Sequence, residues 1–221
     1  MGFVGVKYDH RSLEERTRAN ELRRRAYAKS APKYDKQIGF FERRVFGTDH
    51  RPWACSRANG RTLEVAVGTG LNFPHYPPRI ELVGLDLSPE MLAIADARAK
   101  SLGTKVDFKE GDAQELPFSD AEFDSVICTY SLCNVPDVER TVAEMKRVLR
   151  PGGRLILVDH IGSSVKPILW FQLLIEFFSK RIEGEYQTRR PLLQVKEAGF
   201  EVDELQRSHA GVIERLVAVR Q

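Results

Sequence analysis

The sequence predicts an α/β fold, an open doubly wound sheet of mostly parallel strands with helices on both faces. Three observations predict it. Short apolar runs alternate with helical stretches through most of the 221 residues. One of these runs, Leu63 to Val67, passes directly into a glycine turn, Gly68-Thr69-Gly70. The next, Ile80 to Leu85, ends on an acid, Asp86. A buried strand, a glycine turn that brings backbone amides close to a ligand, and an acid at the tip of the neighbouring strand together outline a nucleotide site at the carboxyl edge of such a sheet.

From the front, Ser12 to Ala31 reads as a helix rich in Arg and Glu, with a thin apolar stripe of Leu13, Ala19, Leu22 and Ala26. Pro32 is expected to break it. A second helix is expected from about Tyr34 to Phe46, ending at Gly47. The expected strands are Thr62–Val67, Ile80–Leu85, Val106–Glu110, Phe123–Thr129 and Arg154–Asp159. Helices are expected to open near Asn72 and to span Pro89–Ser101 and Asp137–Leu149. Pro89 suits a first helical turn behind Ser88, and Pro151-Gly152-Gly153 stops the later helix. A helix near Arg190–Glu197 and the strands Glu201–Gln206 and Val212–Val219 complete the chain, the last two joined through Ser208 to Gly211 as an antiparallel hairpin.

Composition places the chain among ordinary globular proteins, with 42% hydrophobic and 29% charged residues. The net charge of +3 is uneven: residues 1–60 are basic and the remainder is mildly acidic. No apolar run reaches the ~20 residues that cross a bilayer, and Met1 to Tyr8 is too short and mixed for a signal peptide. Cys55, Cys128 and Cys133 form no metal spacing, so no metal is expected, and free core cysteines suit a reducing, cytoplasmic setting. The basic front has two readings. It is a solvated helix laced with i,i+4 ion pairs, or residues 11–30 lie against an anionic membrane surface through Arg23, Arg24 and Arg25, making the protein peripheral at the inner membrane face. No nucleic-acid partner is expected.

A dinucleotide fingerprint would place a third glycine three residues after Gly70, where this chain has Phe73. The stretch Glu64-Val65-Ala66-Val67-Gly68-Thr69-Gly70 instead resembles the first motif of class I S-adenosylmethionine (SAM) methyltransferases, and Asp86-Leu87-Ser88-Pro89-Glu90-Met91 resembles the second. Gly111-Asp112-Ala113, the run Phe123 to Cys128, and Leu149 to Gly153 follow in the family's order, over roughly Tyr27 to His160. Ala66 stands where that family usually has glycine. The resemblance implies a Rossmann-like seven-stranded sheet in the order 3-2-1-4-5-7-6 with the last strand antiparallel. It also implies two parts: an N-terminal helical lid over residues 1–50 and a methyltransferase domain over residues 51–221.

The resemblance further implies SAM as cofactor, bound by Glu64, Ala66, Val67, Gly68, Thr69, Gly70 and Asn72 around the first turn. Asp86 would hold the ribose hydroxyls, and Leu87 and Met91 the adenine faces. Asp112 and the Ala113 amide would meet the adenine edge. Tyr34 lies in a segment similar to the entry helix of small bacterial (Rhodobacter-type) phospholipid N-methyltransferases, and would meet the SAM carboxylate. Thr129, Tyr130 and Ser131 follow the fourth strand and are expected to floor the site. His160, at the end of the fifth strand, is the candidate base because imidazole titrates near neutrality, with Tyr130 as its companion.

The apolar stretch Pro167 to Phe178 reads either as an ordinary core helix or as an acceptor-side wall. Arg189-Arg190 beyond it is either a phosphate grip or a solvated helix start. The acceptor expected is small and apolar-bodied, the amine of phosphatidylethanolamine or a similar lipid first. A hydrophobic thiol, natural product or quinone is the alternative, and an NAD(P)-binding oxidoreductase or a SAM-binding module without turnover are the readings of other classes.

Overall fold

The computed structural model describes residues 12–182 and 184–221. The segment from Met1 to Tyr8, read above for a leader, and Arg11 at the edge of the basic front lie outside them.

The first helix, α1 (Leu13–Phe41), begins with a capping box: the Ser12 hydroxyl accepts from the Glu15 amide, and the Glu15 carboxylate accepts from the Ser12 amide. Pro32 sits inside this helix and does not end it. An interior proline costs about 3 kcal/mol, but here both halves are tied to the body. Asn20 and Arg23 bond to Asp112 and to the Gly184 carbonyl ahead of it, and Asp35 bonds to Thr69 and Arg98 behind it. A π-helical turn, Glu42–Phe46, and a short α2 (His50–Cys55) lead into the sheet.

The sheet has seven strands in the order β3-β2-β1-β4-β5-β7-β6, as expected. They are β1 (Arg61–Val65), β2 (Glu81–Asp86), β3 (Val106–Glu110), β4 (Phe123–Thr129), β5 (Leu149–His160), β6 (Phe200–Ser208) and β7 (Ile213–Arg220). β7 runs antiparallel to both neighbours, and every other pairing is parallel. Between them lie α3 (Pro89–Leu102), α4 (Val138–Val148), α5 (Lys166–Ile182) and α6 (Pro191–Glu197).

Alternation along the strands divides the core. Leu63, Val65, Val126, Cys128, Leu155 and Leu157 pack toward α4 and α6, while Ile127, Ile156, Val158 and Val217 pack with Ala54 and Ala58 at the opposite face. All three cysteines are buried and unpaired.

Two expectations fail beside the glycine turn. β1 stops at Val65, not Val67. The helix expected after Asn72 is one 3₁₀ turn, Phe73–His75. Pro74, Pro77 and Pro78 leave too few amide donors for a longer helix there.

Candidate active site

The carboxyl ends of β1, β2 and β4 border a cleft of about 690 Å³, open to solvent and roofed by Asn20, Arg23, Tyr27 and Tyr34 of α1. This is the edge of an open parallel sheet where ligands gather.

The first wall is the turn after β1. Ala66 and Gly68 both have left-handed φ, +56° each, and both line the cleft. A Cβ on Gly68 would meet nothing within 4 Å, so its bare backbone faces open space. Gly70 is a glycine for another reason: a Cβ there would lie 2.2 Å from the Phe73 ring. The expected close approach of ligand at Gly70 is therefore a close approach of Phe73. Val67 is core beside that same ring. Thr69 is buried with its hydroxyl bonded to Asp35, and its carbonyl accepts from Arg98, so it fastens α1 instead of lining the cleft.

Beneath this turn lies a buried polar network. Glu64 accepts from Asn72 Nδ2 (2.9 Å) and from the Tyr76 hydroxyl (2.8 Å). Asn72 also donates to Thr129, and Arg51 donates to Asn72, Thr129 and Glu42. Glu64, Asn72 and Thr129 thus support the cleft from behind and do not line it. Burial pushes the Glu64 carboxyl up to about 7 against the opposing pull of Tyr76 and Arg51. Arg51, the cation at the centre, was not legible in the sequence, because a basic residue beside Pro52 in a short helix carries no pattern.

The second wall is the tip of β2. Asp86 accepts from the Gly68 amide (2.8 Å) and the Ser88 amide (2.9 Å), which sets its carboxylate against the glycine turn. Burial raises its pKa, with those amides pulling the other way. Leu87, Met91, Asp112 and Ala113 continue this wall. Asp112 Oδ2 accepts from Asn20 Nδ2 at 2.7 Å, so α1 is docked on the acid expected to read an adenine amine.

The far end is floored by Tyr130, Ser131, Asn134, Val135 and Pro136. Tyr130 has φ +54°, a conformation that side-chain-bearing residues rarely hold. Its buried hydroxyl has no hydrogen-bond partner among the described residues. Its ring stacks on Phe46 (5.8 Å) and under the Arg51 guanidinium.

His160 does not border the cleft. It is buried, with its ring stacked with Phe46 (6.3 Å between centroids) and Nε2 3.2 Å from Glu185 Oε1. Burial alone would lower its pKa, but Glu185 and Asp159 outweigh burial and raise it. Cys133, Asp159 and His160 also bring one potential ligand atom each within 4.8 Å of one another. Both Asp159 oxygens there already accept backbone amides, from His160 and Cys133.

Two further expectations are corrected. Arg23 is buried and donates to the Ala19 and Gly184 carbonyls, while Arg24 and Arg25 pair with Glu110 and Glu21. The three arginines therefore do not form one outward basic face. Arg189 donates to the Leu132 and Val135 carbonyls and stacks on Tyr186, so it braces the floor and offers no phosphate grip.

A family model described as a methyltransferase domain matches residues 63–157. Over 189 residues the chain is 34% identical to a demethylmenaquinone methyltransferase of Thermus thermophilus, a match covering 78% of this chain and 83% of that one. The chain belongs to the SAM-dependent methyltransferases. A phosphatidylethanolamine N-methyltransferase of Cereibacter sphaeroides is 41% identical over 111 residues, 49% of this methyltransferase and 55% of that one, so the match spans about half of each chain. Among solved structures, a SAM-dependent methyltransferase of Thermotoga maritima superposes with a TM-score of 0.69 at 23% identity, covering 90% of this chain and 99% of that one. That likeness is one of fold and agrees with the strand order found here.

Proposed function

We propose that this methyltransferase moves a methyl group from SAM to the amine of phosphatidylethanolamine or a similar lipid. The observation that carries the proposal is the division of one cleft into two unlike ends. At one end are the open Gly68 backbone, Asp86 and Asp112; at the other is Tyr130, with its buried hydroxyl unpartnered. The first end fits SAM: an acid for ribose hydroxyls, Leu87 and Met91 for a flat apolar ring, Asp112 and the Ala113 amide for its polar edge. Tyr34, Ala66 and Ser131 border the path toward the second end. Glu64, Val67, Thr69, Gly70, Asn72 and Thr129 keep the turn in place from below. In this reading α1 is the lid.

When bound, the cofactor supplies a methyl on a sulfonium sulfur, open to in-line displacement. The chain's own work is to hold the nucleophile in line and exclude water, which supplies up to ~7–11 kcal/mol in ideal cases. The Tyr130 hydroxyl is a free hydrogen-bond partner for an acceptor heteroatom. An ammonium acceptor must shed a proton; His160, buried behind the floor beside Glu185 and not bordering the cleft, is the candidate base only if a water or intervening group links it to the acceptor.

A second reading, a quinone ring acceptor, is favoured by the longer match to the demethylmenaquinone methyltransferase. The two separate in one experiment. Lipid and quinone extracts are incubated with the protein and methyl-labelled SAM, then examined by mass spectrometry. Label in methylated phosphatidylethanolamine is the expected result. Label only in the quinone fraction selects the second reading, and label in neither overturns both.

A further inference from the structure

The apolar stretch read either as a core helix or as an acceptor-side wall is neither: most of its large side chains face solvent, and none lines the cleft. α5 presents Trp170, Phe171, Leu173, Leu174, Phe177 and Phe178 to solvent, Trp170 being 75% exposed and Phe171 62%. Its uncharged polar residues and its one acid point inward. Gln172 is 7% exposed, accepts from the Ser163 amide and donates to the Ile161 carbonyl. Glu176 accepts from both the amide and hydroxyl of Thr188, and Ser179 donates to the Glu185 carbonyl. At 100° per residue, positions 172, 176 and 179 fall on one narrow face, and the exposed apolar side chains cover the rest. A helix against a watery exterior has the opposite arrangement.

We propose that α5 is an interfacial helix that lies in the headgroup region of an anionic phospholipid bilayer, apolar face down. At 1.5 Å per residue its 17 residues extend ~25 Å. No helix among the described residues is long and apolar enough to cross a membrane, so α5 lies along the surface. Charge complementarity selects lipid over a second copy of the chain. The only acid of α5, Glu176, is bonded inward, while exposed Lys166 at its start and Lys180 near its end, the latter resting over the Tyr186 ring (4.4 Å), flank the apolar face. Such flanking cations reach toward lipid phosphates, whereas two copies meeting through this face would bring like charges together. The outward tryptophan suits the same depth.

The placement also bears on the cleft. Just beyond α5, the Gly184 carbonyl accepts from Arg23 of the roof, the Tyr186 amide donates to the Cys133 carbonyl, and Arg189 holds the floor carbonyls. A bilayer-seated α5 therefore keeps the acceptor end beside the headgroup layer. This last step rests on the lipid-acceptor reading; the seating itself does not.

The test uses the full chain and vesicles of phosphatidylcholine alone or with phosphatidylglycerol in equal parts. Flotation should carry the protein with the mixed vesicles, and brominated lipid should quench Trp170 in a Trp53→Phe background. W170E with F177E, both at exposed positions, should lower vesicle partition by at least roughly tenfold while leaving the melting temperature and SAM affinity unchanged. Methyl transfer to a water-soluble short-chain acceptor should persist in that variant and transfer to vesicle-borne acceptor should fall, so a wrong acceptor and a wrong membrane face give different results. Equal flotation of native and variant chains overturns the proposal. So does a native dimer that the variant converts to monomer, because a second copy would then cover the face.

Discussion

Replacing Glu64 by Gln tests the buried network beneath the glycine turn through stability alone. Glu64 is 2% exposed, and its carboxyl is raised from the ordinary 4.5 to about 7, chiefly by burial. Each tenfold change in proton affinity corresponds to ~1.4 kcal/mol. The ionised form is therefore about 3 kcal/mol less favourable in the folded chain than in the unfolded one. The sign follows from proton binding. Between pH 4.5 and about 7 the folded chain holds more protons than the unfolded chain, so this group's contribution to stability is complete below 4.5, falls as pH rises through about 7, and is level above. Gln carries no charge at any pH and keeps an acceptor for Asn72 Nδ2. Glu64→Gln should thus change stability little at pH 4.5 and raise it by up to ~3 kcal/mol at pH 8. Urea denaturation at both pH values, with equal slopes for the two proteins, measures this. If the variant and native chain show the same pH dependence, Glu64 is already ionised in the folded protein and the burial argument is wrong.

Other outcomes follow from the same geometry. Asp86→Ala should weaken SAM binding by calorimetry, since bonds from ribose hydroxyls to a carboxylate contribute ~1.5–3 kcal/mol each; an unchanged dissociation constant in a folded variant removes Asp86 from the site. Ala66→Gly should be neutral to mildly stabilising, by up to about 1.5 kcal/mol in urea, because relief of a left-handed alanine at ~1–2 kcal/mol offsets the ~0.5–1 kcal/mol entropic cost of glycine. Because Glu185 and Asp159 raise the His160 pKa above its ordinary 6.5, the free base forms only as pH climbs past that raised value. Turnover of an amine acceptor should rise over that range, and His160→Ala should flatten the rise with a loss of ~100- to 10,000-fold at its top; an identical pH–rate profile makes His160 structural.

The strands were legible because buried parallel strands leave continuous apolar runs, whereas the sheet order followed only from the family resemblance carried by the glycine turn, Asp86 and the later motifs. Gly68, Asp86, Leu87, Met91, Asp112 and Ala113 reach the cleft from positions the motifs name. What the sequence hid was set by tertiary contact. Pro32 reads as a helix breaker because propensity does not see the bonds of Asn20 and Asp35 to the body. Gly70 reads as a ligand contact because its partner, Phe73, meets it only through the 3₁₀ turn. The orientation of α5 was invisible for a simpler reason: an apolar stretch looks the same whether it faces the core or leaves it. Among the roof residues Asn20 had no pattern of its own, and Arg23 read as part of a basic face because its bonds to the Ala19 and Gly184 carbonyls are tertiary and local contacts that composition does not show.

The π-helical turn Glu42–Phe46 has a mechanical consequence. Its Phe46 ring stacks on Phe41 at the end of α1, on Tyr130 of the floor and beside His160. One aromatic ring thus joins the roof to the floor of the cleft. A shift of α1 at Phe41 would pass through Phe46 to the Tyr130 and His160 rings, its other stacking partners. The roof and the floor of the cleft are therefore geared together through one ring, although they lie far apart in the sequence.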